Sequence, residues 1–474
     1  MTEQQIKASL DQKSKIRELY NKYLNGAIRL GLFGKAGVGK TRSCSILVEL
    51  IASSLNKKKK PINIIGVTVS HAAKNILNSN INFGRESDSI IPCYTLAAAL
   101  NIKAVVNNTT GQIEFKSMKS TYIDNKGRTV EDKCKLAKAD IIIIDEVSQI
   151  NSKLYKLIND TAKNKAVIIY MGDHHQTPPV EDIESEYGSY VKLDTDSLAF
   201  NIPDKVYLTI PFRYEGDIQL LADEVANQID STTIDDKLSF FKKFTSITSD
   251  SYEFTRDKEY FFNSLIDDYK NNNDVNYSTL ICYKNDTVDK YNTYIRNMLF
   301  DNSSLFEVND FVICKDNSGH LINNGKYRVT SVERSKIYVI TDVIGYTAKV
   351  TDVSSDIKST DIVHIIDCFD IELDNLQTVK VVDVDYNYYN LLNTLSSNAR
   401  KNSNWTYYYN VVKYFTILKH AYAVNTYVVQ GSTYEKVYID LRDIMNVKPT
   451  THRQKLQSLY TAITRAKKKV TILV

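Results

Sequence analysis

Residues 34–41, Gly-Lys-Ala-Gly-Val-Gly-Lys-Thr, are the stretch whose residue types and spacing most clearly indicate chemistry. They fit the pattern G-x-x-x-x-G-K-[ST] and lie between an apolar run and a helical pattern. A glycine-rich turn between a strand and a helix directs backbone N–H groups inward, and the helix N-terminus adds positive charge. The stretch therefore predicts a polyphosphate site. This context disfavours the alternative, an ordinary glycine-rich loop.

Roles for single residues follow from this pattern. We expect Lys40 to reach the β- and γ-phosphates of ATP and the Thr41 hydroxyl to hold Mg²⁺. The residues of this stretch expected to contact the nucleotide are Gly34, Ala36, Gly37, Val38, Gly39, Lys40, Thr41 and Arg42.

Two carboxylates follow a second apolar run. Ile141 to Ile144 reads as a buried strand, and Asp145 and Glu146 come directly after it. Next to a phosphate site, Asp145 would engage Mg²⁺ and Glu146 would orient or deprotonate the attacking water. A strand that simply ends in two acidic residues is the alternative, and it is less favoured in a chain that carries residues 34–41.

A third polar cluster follows the run Ala166 to Tyr170. Within it, Gln176 can donate to a γ-phosphate oxygen or hold a water molecule. The adjacent His174 and His175 suggest metal ligands, but no further ligand is spaced nearby in the sequence, which disfavours a metal site.

The elements that position these clusters read as a parallel α/β sheet. Strands are predicted at Ile28 to Phe33 and Ile62 to Val69, each followed by helical periodicity. Polar residues at the carboxyl ends of such strands meet at one edge of the sheet. A β-hairpin is predicted from Val105 to Phe115, around Asn-Asn-Thr-Thr-Gly.

Length and composition set broad limits. A chain of 474 residues implies about three domains. Its net charge of +4 is too small to indicate a nucleic-acid partner, so any DNA-binding surface must be local. Six scattered cysteines without a C-x-x-C pair favour a reducing compartment and argue against a zinc site. With no predicted signal peptide or membrane span, we expect a cytoplasmic protein, in the host cytoplasm if it is viral.

Taken together, these motifs resemble the superfamily 1 helicases, and within them the RecD/Dda branch. The resemblance rests on residues 34–41, Ser70 to Lys74, Asp145 to Ser148 and Gly172 to Val180. It implies ATP and Mg²⁺ as cofactors and adds Gln12, which would read adenine. It also adds Gly431, in the segment that couples DNA to ATP.

The resemblance continues into the second half of the chain. Tyr-Leu-Thr-Ile-Pro-Phe-Arg-Tyr contains Arg213, and the segment Leu459 to Ala466 contains Arg465. Each looks like a family motif that brings an arginine to the γ-phosphate, where its planar charged fork can hold two oxygens. Surface ion pairing is the alternative for either arginine. The implied catalytic set is Lys40, Asp145, Glu146, Gln176, Arg213 and Arg465.

DNA contacts are likewise implied by the resemblance. They are assigned to His71, Thr95, Phe115, Asn285 and Tyr427. The hairpin with Phe115 resembles the strand-separating pin of the family, and a hairpin that only packs on the lobe is an equally open alternative. The chain departs from the family where Thr-x-His-Lys is replaced by the residues Asn425 to Val428, which removes a lysine contact to the DNA backbone. The expected partners are single-stranded and forked DNA, with movement from 5′ to 3′. Replication or recombination proteins are further candidate partners.

The expected fold is α/β, with two RecA-like parallel-sheet lobes. The first spans 1–210, with a hairpin insertion at about 100–138, and the second spans 211–303 and 411–474. An SH3-like β-barrel is expected at 304–410, where the family resemblance is weakest. Its predicted strands are Phe311 to Cys314, Lys326 to Val332, Lys336 to Thr341, Ile362 to Ile366 and Val379 to Val384. We expect a monomer.

Other functions remain open. A DNA-stimulated ATPase that loads or remodels nucleoprotein would need residues 34–41 and Asp145, without strand separation. A DNA-binding structural subunit could keep the motifs without activity, but the intact Lys40, Asp145 and Glu146 argue against this.

Overall fold

The computed structural model describes residues 3–56, 61–86, 89–117, 120–123, 129–132, 134–179, 182–184, 190–192, 196–210, 216–231, 249–300, 304–315, 321–342, 347–352, 362–383, 386–448 and 450–474. Within these ranges, no helix is both long enough and apolar enough to span a bilayer.

The strands follow in chain order. They are β1 (Arg29–Gly34), β2 (Ile64–Thr68), β3 (Cys93–Thr95), β4 (Ile102–Val106), β5 (Ile113–Ser117), β6 (Ser120–Ile123), β7 (Thr129–Asp132), β8 (Ile141–Ile144), β9 (Val167–Gly172), β10 (Asp182–Glu184), β11 (Tyr190–Lys192), β12 (Lys205–Leu208), β13 (Tyr252–Thr255), β14 (Ser278–Cys282), β15 (Phe311–Cys314), β16 (Lys326–Thr341), β17 (Ala348–Thr351), β18 (Ile362–Leu373), β19 (Thr378–Val382), β20 (Leu418–His420), β21 (Ala423–Asn425), β22 (Tyr434–Asp440) and β23 (Ala466–Leu473).

The α-helices in the described ranges are α1 (Glu3–Leu24), α2 (Lys40–Leu55), α3 (His71–Ile81), α4 (Leu96–Ala99), α5 (Lys135–Lys138), α6 (Ser152–Thr161), α7 (Asp217–Asp230), α8 (Lys258–Asn271), α9 (Asn285–Leu299), α10 (Tyr386–Asn402), α11 (Thr406–Tyr414), α12 (Leu441–Met445) and α13 (His452–Ile463). Short 3₁₀ helices cover Val147–Gln149 and Leu198–Asn201.

The first sheet has the order β12-β1-β9-β8-β2-β3, and all its pairs are parallel. Its central strands are buried throughout, as their continuous apolar runs predict. We call this sheet and its packed helices, α1 to α6, the first lobe. Because the strands are parallel, the predicted polar clusters after β1, β2, β8 and β9 lie at one edge.

The second sheet has the order β13-β23-β22-β14-β21 and is also entirely parallel. Helices α7 and α13 share an apolar core with β22 and β23 on one face, and α8 and α9 pack with β14 in another core. We call this sheet with α7, α8, α9, α12 and α13 the second lobe. The α/β class with parallel sheets, predicted from the sequence, is therefore confirmed.

A third sheet lies between the halves of the second lobe in the chain. Its order is β19-β18-β16-β15-β20, every pair is antiparallel, and β17 pairs with β16. The prediction of two strands in 326–341 was wrong, because β16 runs unbroken from Lys326 to Thr341. β16 pairs with β18 over almost its full length, and the polar residues in the middle of β16 are largely exposed. The chain therefore did not need to turn at these residues.

The predicted hairpin is formed by β4 and β5, with Ala104 opposite Phe115. Its turn contacts the helix α11, which is far away in the sequence. The Trp405 indole N–H donates to Asn108 O at 3.1 Å, and the Tyr409 hydroxyl donates to Gly111 O at 2.6 Å. The only tryptophan of the chain thus holds this hairpin against the helices that lie between β19 and β20 in the chain.

Candidate functional site

The phosphate loop, residues 34–41, joins β1 to α2 in a conformation that depends on glycine. Gly37 and Gly39 have φ values of 80° and 82°, which L side chains rarely adopt. Gly39 is the N-cap of α2 and makes no side-chain cap, so the first N–H groups of the helix stay available to an anion. Lys40 Nζ donates to Gly34 O at 2.8 Å and Lys35 O at 2.9 Å, which holds the ammonium over the loop.

Gln12 joins this loop from α1. Its Nε2 donates to Val38 O at 2.9 Å, and the residue is only 8% exposed. A Cβ at Gly39 would overlap this amide. The structure therefore brings Gln12 to the phosphate loop, and the adenine-reading role stays a prediction.

A cavity of about 710 Å³ opens beside the loop and is large enough for a nucleotide. It is lined by Gly37, Gly39, Lys40, Thr41 and Arg42 together with residues from the end of α3 and the turn after it. One of these, Phe83, was not predicted from the sequence and is 90% exposed.

Asp145 and Glu146 lie at the carboxyl end of β8, at the same edge as the loop. Glu146 has φ 56° and ψ 43°, a left-handed conformation that is costly for a residue with a side chain and that often marks functional positions. Its N–H donates to Asp145 Oδ1 at 2.9 Å. Burial and the Glu146 charge raise the pKa of Asp145 to about 7, although Lys40 acts in the opposite direction.

These groups fit Mg²⁺. The ion prefers oxygen ligands, and a Thr41 hydroxyl with an Asp145 carboxylate, next to substrate phosphates, supplies them. A divalent charge here would offset the cost of ionising the buried Asp145.

Gln176 and Asp173 follow β9 in the same region. Gln176 is 5% exposed, and its Oε1 is buried without a hydrogen-bond partner among the described residues. An amide that is buried but unsatisfied suits a ligand or water that completes its bonding. Burial raises the pKa of Asp173, but hydrogen bonds from His175 and Tyr460 and the charge of Lys40 outweigh it and lower the pKa to about 2.

Tyr460, on α13 of the second lobe, is the contact that sequence reasoning missed. Its hydroxyl donates to Asp173 Oδ2 at 2.8 Å and accepts from the Ala36 N–H of the phosphate loop at 3.3 Å. The sequence placed Tyr460 only within the motif segment Leu459 to Ala466, without a role of its own. Its position five residues before Arg465, in a motif expected near the nucleotide, was the available signal.

Further bonds join the lobes around Tyr460. The Thr177 N–H donates to the Thr461 hydroxyl at 3.0 Å, and Gln457 Nε2 donates to His174 O at 2.9 Å. Lys35 of the phosphate loop pairs with Asp223 of α7 at 2.7 Å. The edge that carries the predicted nucleotide groups is thus bonded directly to α7 and α13.

The two predicted arginines and Gly431 differ in what the structure describes. Arg465 is 6% exposed, and its guanidinium donates to Thr461 O at 3.1 Å, inside the second lobe. Gly431 has φ 79° and lies against Ala73 at the start of α3. Arg213 lies outside the described residues.

The predicted DNA contacts of the first lobe lie at neighbouring strand ends. His71 is exposed at the first position of α3, after β2, and Thr95 ends β3. Thr95 is 7% exposed, and its hydroxyl accepts from the Ala98 N–H as the cap of α4. Its hydroxyl therefore already has a structural partner.

In the second lobe, Asn285 begins α9, and its Oδ1 accepts from Asn425 Nδ2 at 2.8 Å. Tyr427 is half-buried, with its ring 6.4 Å from that of Tyr283. A cavity of about 300 Å³ beside Asn285 is lined by Lys315 and Lys419, two cations that the sequence reasoning did not single out. Phe115 on β5 is 68% exposed.

Comparisons with known proteins agree with the order of these motifs. An AAA domain model matches residues 21–182, and a model of the UvrD-like helicase C-terminal domain matches residues 420–473. The first match covers the phosphate loop through the cluster after β9. The second covers the segments that contain Tyr427 and Arg465.

Two similar proteins come from viruses. An uncharacterized protein of Acanthamoeba polyphaga mimivirus is 23% identical over 500 residues, with 94% of each chain covered. The ATP-dependent DNA helicase dda of Enterobacteria phage T4 is 27% identical over 285 residues, which span 60% of this chain and about half (55%) of the phage protein.

Among solved structures, the Pif1 helicase from Bacteroides in complex with ADP-AlF3 and ssDNA has a TM-score of 0.47 at 16% identity, with 96% of this chain and 91% of that chain covered. Pif1 from Candida albicans has the same TM-score and identity, with 100% and 94% covered. An AAA domain model, a UvrD-like helicase C-terminal domain model and the phage helicase dda are thus each similar to part of this chain, and the two models match in the order that the motifs require.

Proposed function

We propose that this protein is an ATP-dependent DNA helicase that moves along single-stranded DNA from 5′ to 3′ and separates duplex strands. The observation that carries the proposal is the Tyr460 hydroxyl, which links the phosphate loop and Asp173 to a helix of the second lobe. A change at the nucleotide can therefore alter the bonds between the lobes. The relative dda, described as an ATP-dependent DNA helicase, supports the same assignment.

In this proposal, each group at the sheet edge has one role in phosphoryl transfer. The N-terminal N–H groups of α2 and Lys40 bind the phosphates, and Thr41 and Asp145 hold Mg²⁺, which would neutralise developing charge when bound. Glu146 and Gln176 position the attacking water. Arg213 and Arg465 stabilise the charge on the γ-phosphate from the second lobe.

Movement would come from opening and closing of the two lobes around the nucleotide. Loss of the γ-phosphate would change the surroundings of Asp173 and Gln176. Tyr460 and Thr461 would pass this change on to the position of α13. Residues at both lobes, His71, Thr95, Asn285 and Tyr427, would hold single-stranded DNA in turn. Lys315 and Lys419 would add backbone contacts beside Asn285.

Strand separation is assigned to the hairpin β4–β5, with Phe115 stacking on the last base pair of a fork. We also propose the domain limits 1–210, 211–303 with 411–474, and an SH3-like insertion at 304–410. Two observations favour an insertion that holds the hairpin in place. The third sheet is antiparallel, unlike the sheets of the two lobes, and Trp405 contacts the hairpin. The molecule would act as a monomer.

A strand-separation assay tests the proposal most directly. Forked DNA carrying only a 5′ tail should be unwound with ATP, and DNA carrying only a 3′ tail should not. ATP turnover should be low without DNA and rise strongly with single-stranded DNA. Lys40→Ala should abolish both activities, while Lys467→Ala, which removes an exposed ammonium paired with Glu435, should keep them.

Each outcome separates the candidates. DNA-stimulated turnover without unwinding of either substrate would favour a loader or remodeller. Unwinding from the 3′ tail would contradict movement from 5′ to 3′. ATP turnover that does not respond to DNA would contradict ATP-driven movement along DNA.

A further inference from the structure

Two imidazoles of the first lobe and a carboxylate of the second converge next to the nucleotide edge. His174 Nε2 lies 3.2 Å from Asp230 Oδ1, and His175 Nε2 lies 2.9 Å from Asp230 Oδ2. Asp230 is the last residue of α7. The sequence disfavoured a metal site because no ligand was spaced near the histidine pair, but the fold supplies Asp230 from 55 residues further along the chain.

The separations match those between ligand atoms around a small divalent transition-metal ion. Zinc binds imidazole nitrogen and carboxylate oxygen at about 2.0–2.2 Å in a tetrahedral arrangement, so its adjacent ligand atoms are about 3.3 Å apart. The observed 3.2 Å and 2.9 Å lie within a few tenths of that value. Both imidazoles therefore already approach the Asp230 carboxylate at about the spacing that two ligands of one ion show.

His175 also has the outer partner that metal-binding histidines usually have. Its Nδ1 is 3.0 Å from Asp173 Oδ1, which orients the ring and directs Nε2 towards Asp230. The residue is 3% exposed, and its ring packs 5.5 Å from that of Tyr460. Ligand atoms of Asp173, His174 and His175 all lie within 4.8 Å of one another.

We propose that His174, His175 and Asp230 form a binding site for a divalent transition-metal ion of the zinc class, with a fourth position open to water. Neutral imidazole with one carboxylate suits Zn²⁺ or Co²⁺ and does not suit Mg²⁺, which prefers oxygen ligands. The site is therefore distinct from Thr41 and Asp145.

Because two ligands belong to the first lobe and one to the second, the bound ion would hold the lobes in the arrangement seen here. This consequence, unlike the binding itself, rests on the proposed function. If turnover needs the lobes to separate, then Zn²⁺ at this site inhibits DNA-stimulated ATP hydrolysis in the presence of excess Mg²⁺.

Cobalt binding tests the site without any activity. Chelator-treated protein, titrated with Co²⁺, should bind one ion and show the strong visible absorption of tetrahedral Co²⁺, which Zn²⁺ then removes. His174→Ala and Asp230→Asn should weaken binding at least about tenfold. Asp223→Asn is the matched control, because it removes another α7 carboxylate that faces the first lobe but lies outside the site.

Thermal unfolding tests metal binding in variants that fold poorly, because a ligand that binds only the native state raises the melting temperature. Zn²⁺ should raise it for wild type and Asp223→Asn, and not for Asp230→Asn. Absence of a tetrahedral spectrum from wild type, or equal Co²⁺ affinity in Asp230→Asn, overturns the site.

An ATPase assay then tests the consequence for turnover. One equivalent of Zn²⁺ should inhibit wild type and spare Asp230→Asn. Binding without inhibition overturns the effect on the lobes, whereas wild type that binds Co²⁺ but never hydrolyses ATP overturns the proposed function and leaves the site standing.

Discussion

The Tyr460 hydroxyl donates to Asp173 Oδ2 across the interface of the two lobes, at 2.8 Å. Burial and the Asp173 charge raise the pKa of Tyr460 well above its usual value, so the hydroxyl remains a donor. The same oxygen accepts from the Ala36 N–H in the phosphate loop. One buried phenol thus satisfies a carboxylate after β9 and reaches the loop that would bind phosphate.

Tyr460→Phe should reduce DNA-stimulated ATP turnover roughly tenfold, because about 1.4 kcal/mol of coupling between the loop and α13 is lost with the hydroxyl. The free energy of unfolding should fall by about 1.5–3 kcal/mol, as expected for a buried hydrogen bond to a charged group. Steady-state kinetics and denaturant unfolding measure the two effects.

Tyr438→Phe is the matched control for this change. Tyr438 also donates to a carboxylate, Asp268 Oδ2, at 2.8 Å, but both residues belong to the second lobe. It should lose similar stability while keeping its turnover per folded molecule. Equal turnover in the two variants would contradict the role assigned to Tyr460.

Gly39→Ala should weaken ATP binding. The glycine has φ 82°, and a Cβ would overlap the Gln12 amide that bonds to Val38 O. Backbone strain alone costs about 1–2 kcal/mol, and the displaced amide would also distort the loop. Binding of a fluorescent ATP analogue measures the loss.

Gly26→Ala is the control that separates backbone strain from the steric overlap with the Gln12 amide. Gly26 has φ 99° but nothing within 4 Å of its would-be Cβ. This variant should be destabilised by a similar strain and still bind ATP. If Gly39→Ala binds ATP as Gly26→Ala does, then the packing of Gln12 on the loop is unimportant.

The sequence predicted best what depends on neighbouring residues. The run Ile141 to Ile144 predicted a buried strand, and the carboxyl ends of parallel strands meet at one edge, which predicted Asp145 near the phosphate loop. The pairs Tyr460 with Asp173 and Asp230 with His175 could not be found this way. They join residues far apart in the chain, and they depend on how the two lobes pack.

Dependence on residues far apart in the chain also explains why the prediction of two strands in 326–341 was wrong. The polar residues between Val332 and Lys336 indicated a break, because local patterning treats polar stretches as turns. Pairing with β18 supplies the backbone hydrogen bonds of β16 there, so the strand continues through them.

A pH effect on stability is expected from Lys326. Its Nζ lies 5.4 Å from the Phe311 ring centroid and 5.5 Å from that of Tyr434. Burial lowers the pKa of Lys326 from 10.5 to about 7, although Asp274 acts to raise it. Between these pH values the unfolded chain holds a proton that the native state lacks. This group therefore makes stability rise with pH, by at most about 1.4 kcal/mol per unit.

Lys326→Met should remove this contribution and stabilise the protein most at and below pH 7, where the native state buries a charged ammonium. The difference in free energy of unfolding between variant and wild type should shrink towards pH 10. Lys336→Met, on the exposed part of the same strand, should leave the pH dependence unchanged. A constant difference for Lys326→Met across this range would contradict the buried, shifted lysine.

Trp405→Ala should reduce duplex unwinding several-fold while single-stranded DNA still stimulates ATP turnover. Trp405 is 4% exposed, and a Cβ at Gly111 would overlap its ring, so the indole packs directly on the hairpin turn. Without this contact and the N–H bond to Asn108, the hairpin could move away from the fork while the nucleotide edge, in another part of the first lobe, stays intact.

Trp405→Phe keeps an aromatic ring and should give an intermediate loss, and Tyr389→Ala, at an exposed site on α10, should give none. The ratio of base pairs unwound to ATP hydrolysed measures the effect, and an unchanged ratio in Trp405→Ala would show that strand separation does not depend on a fixed hairpin.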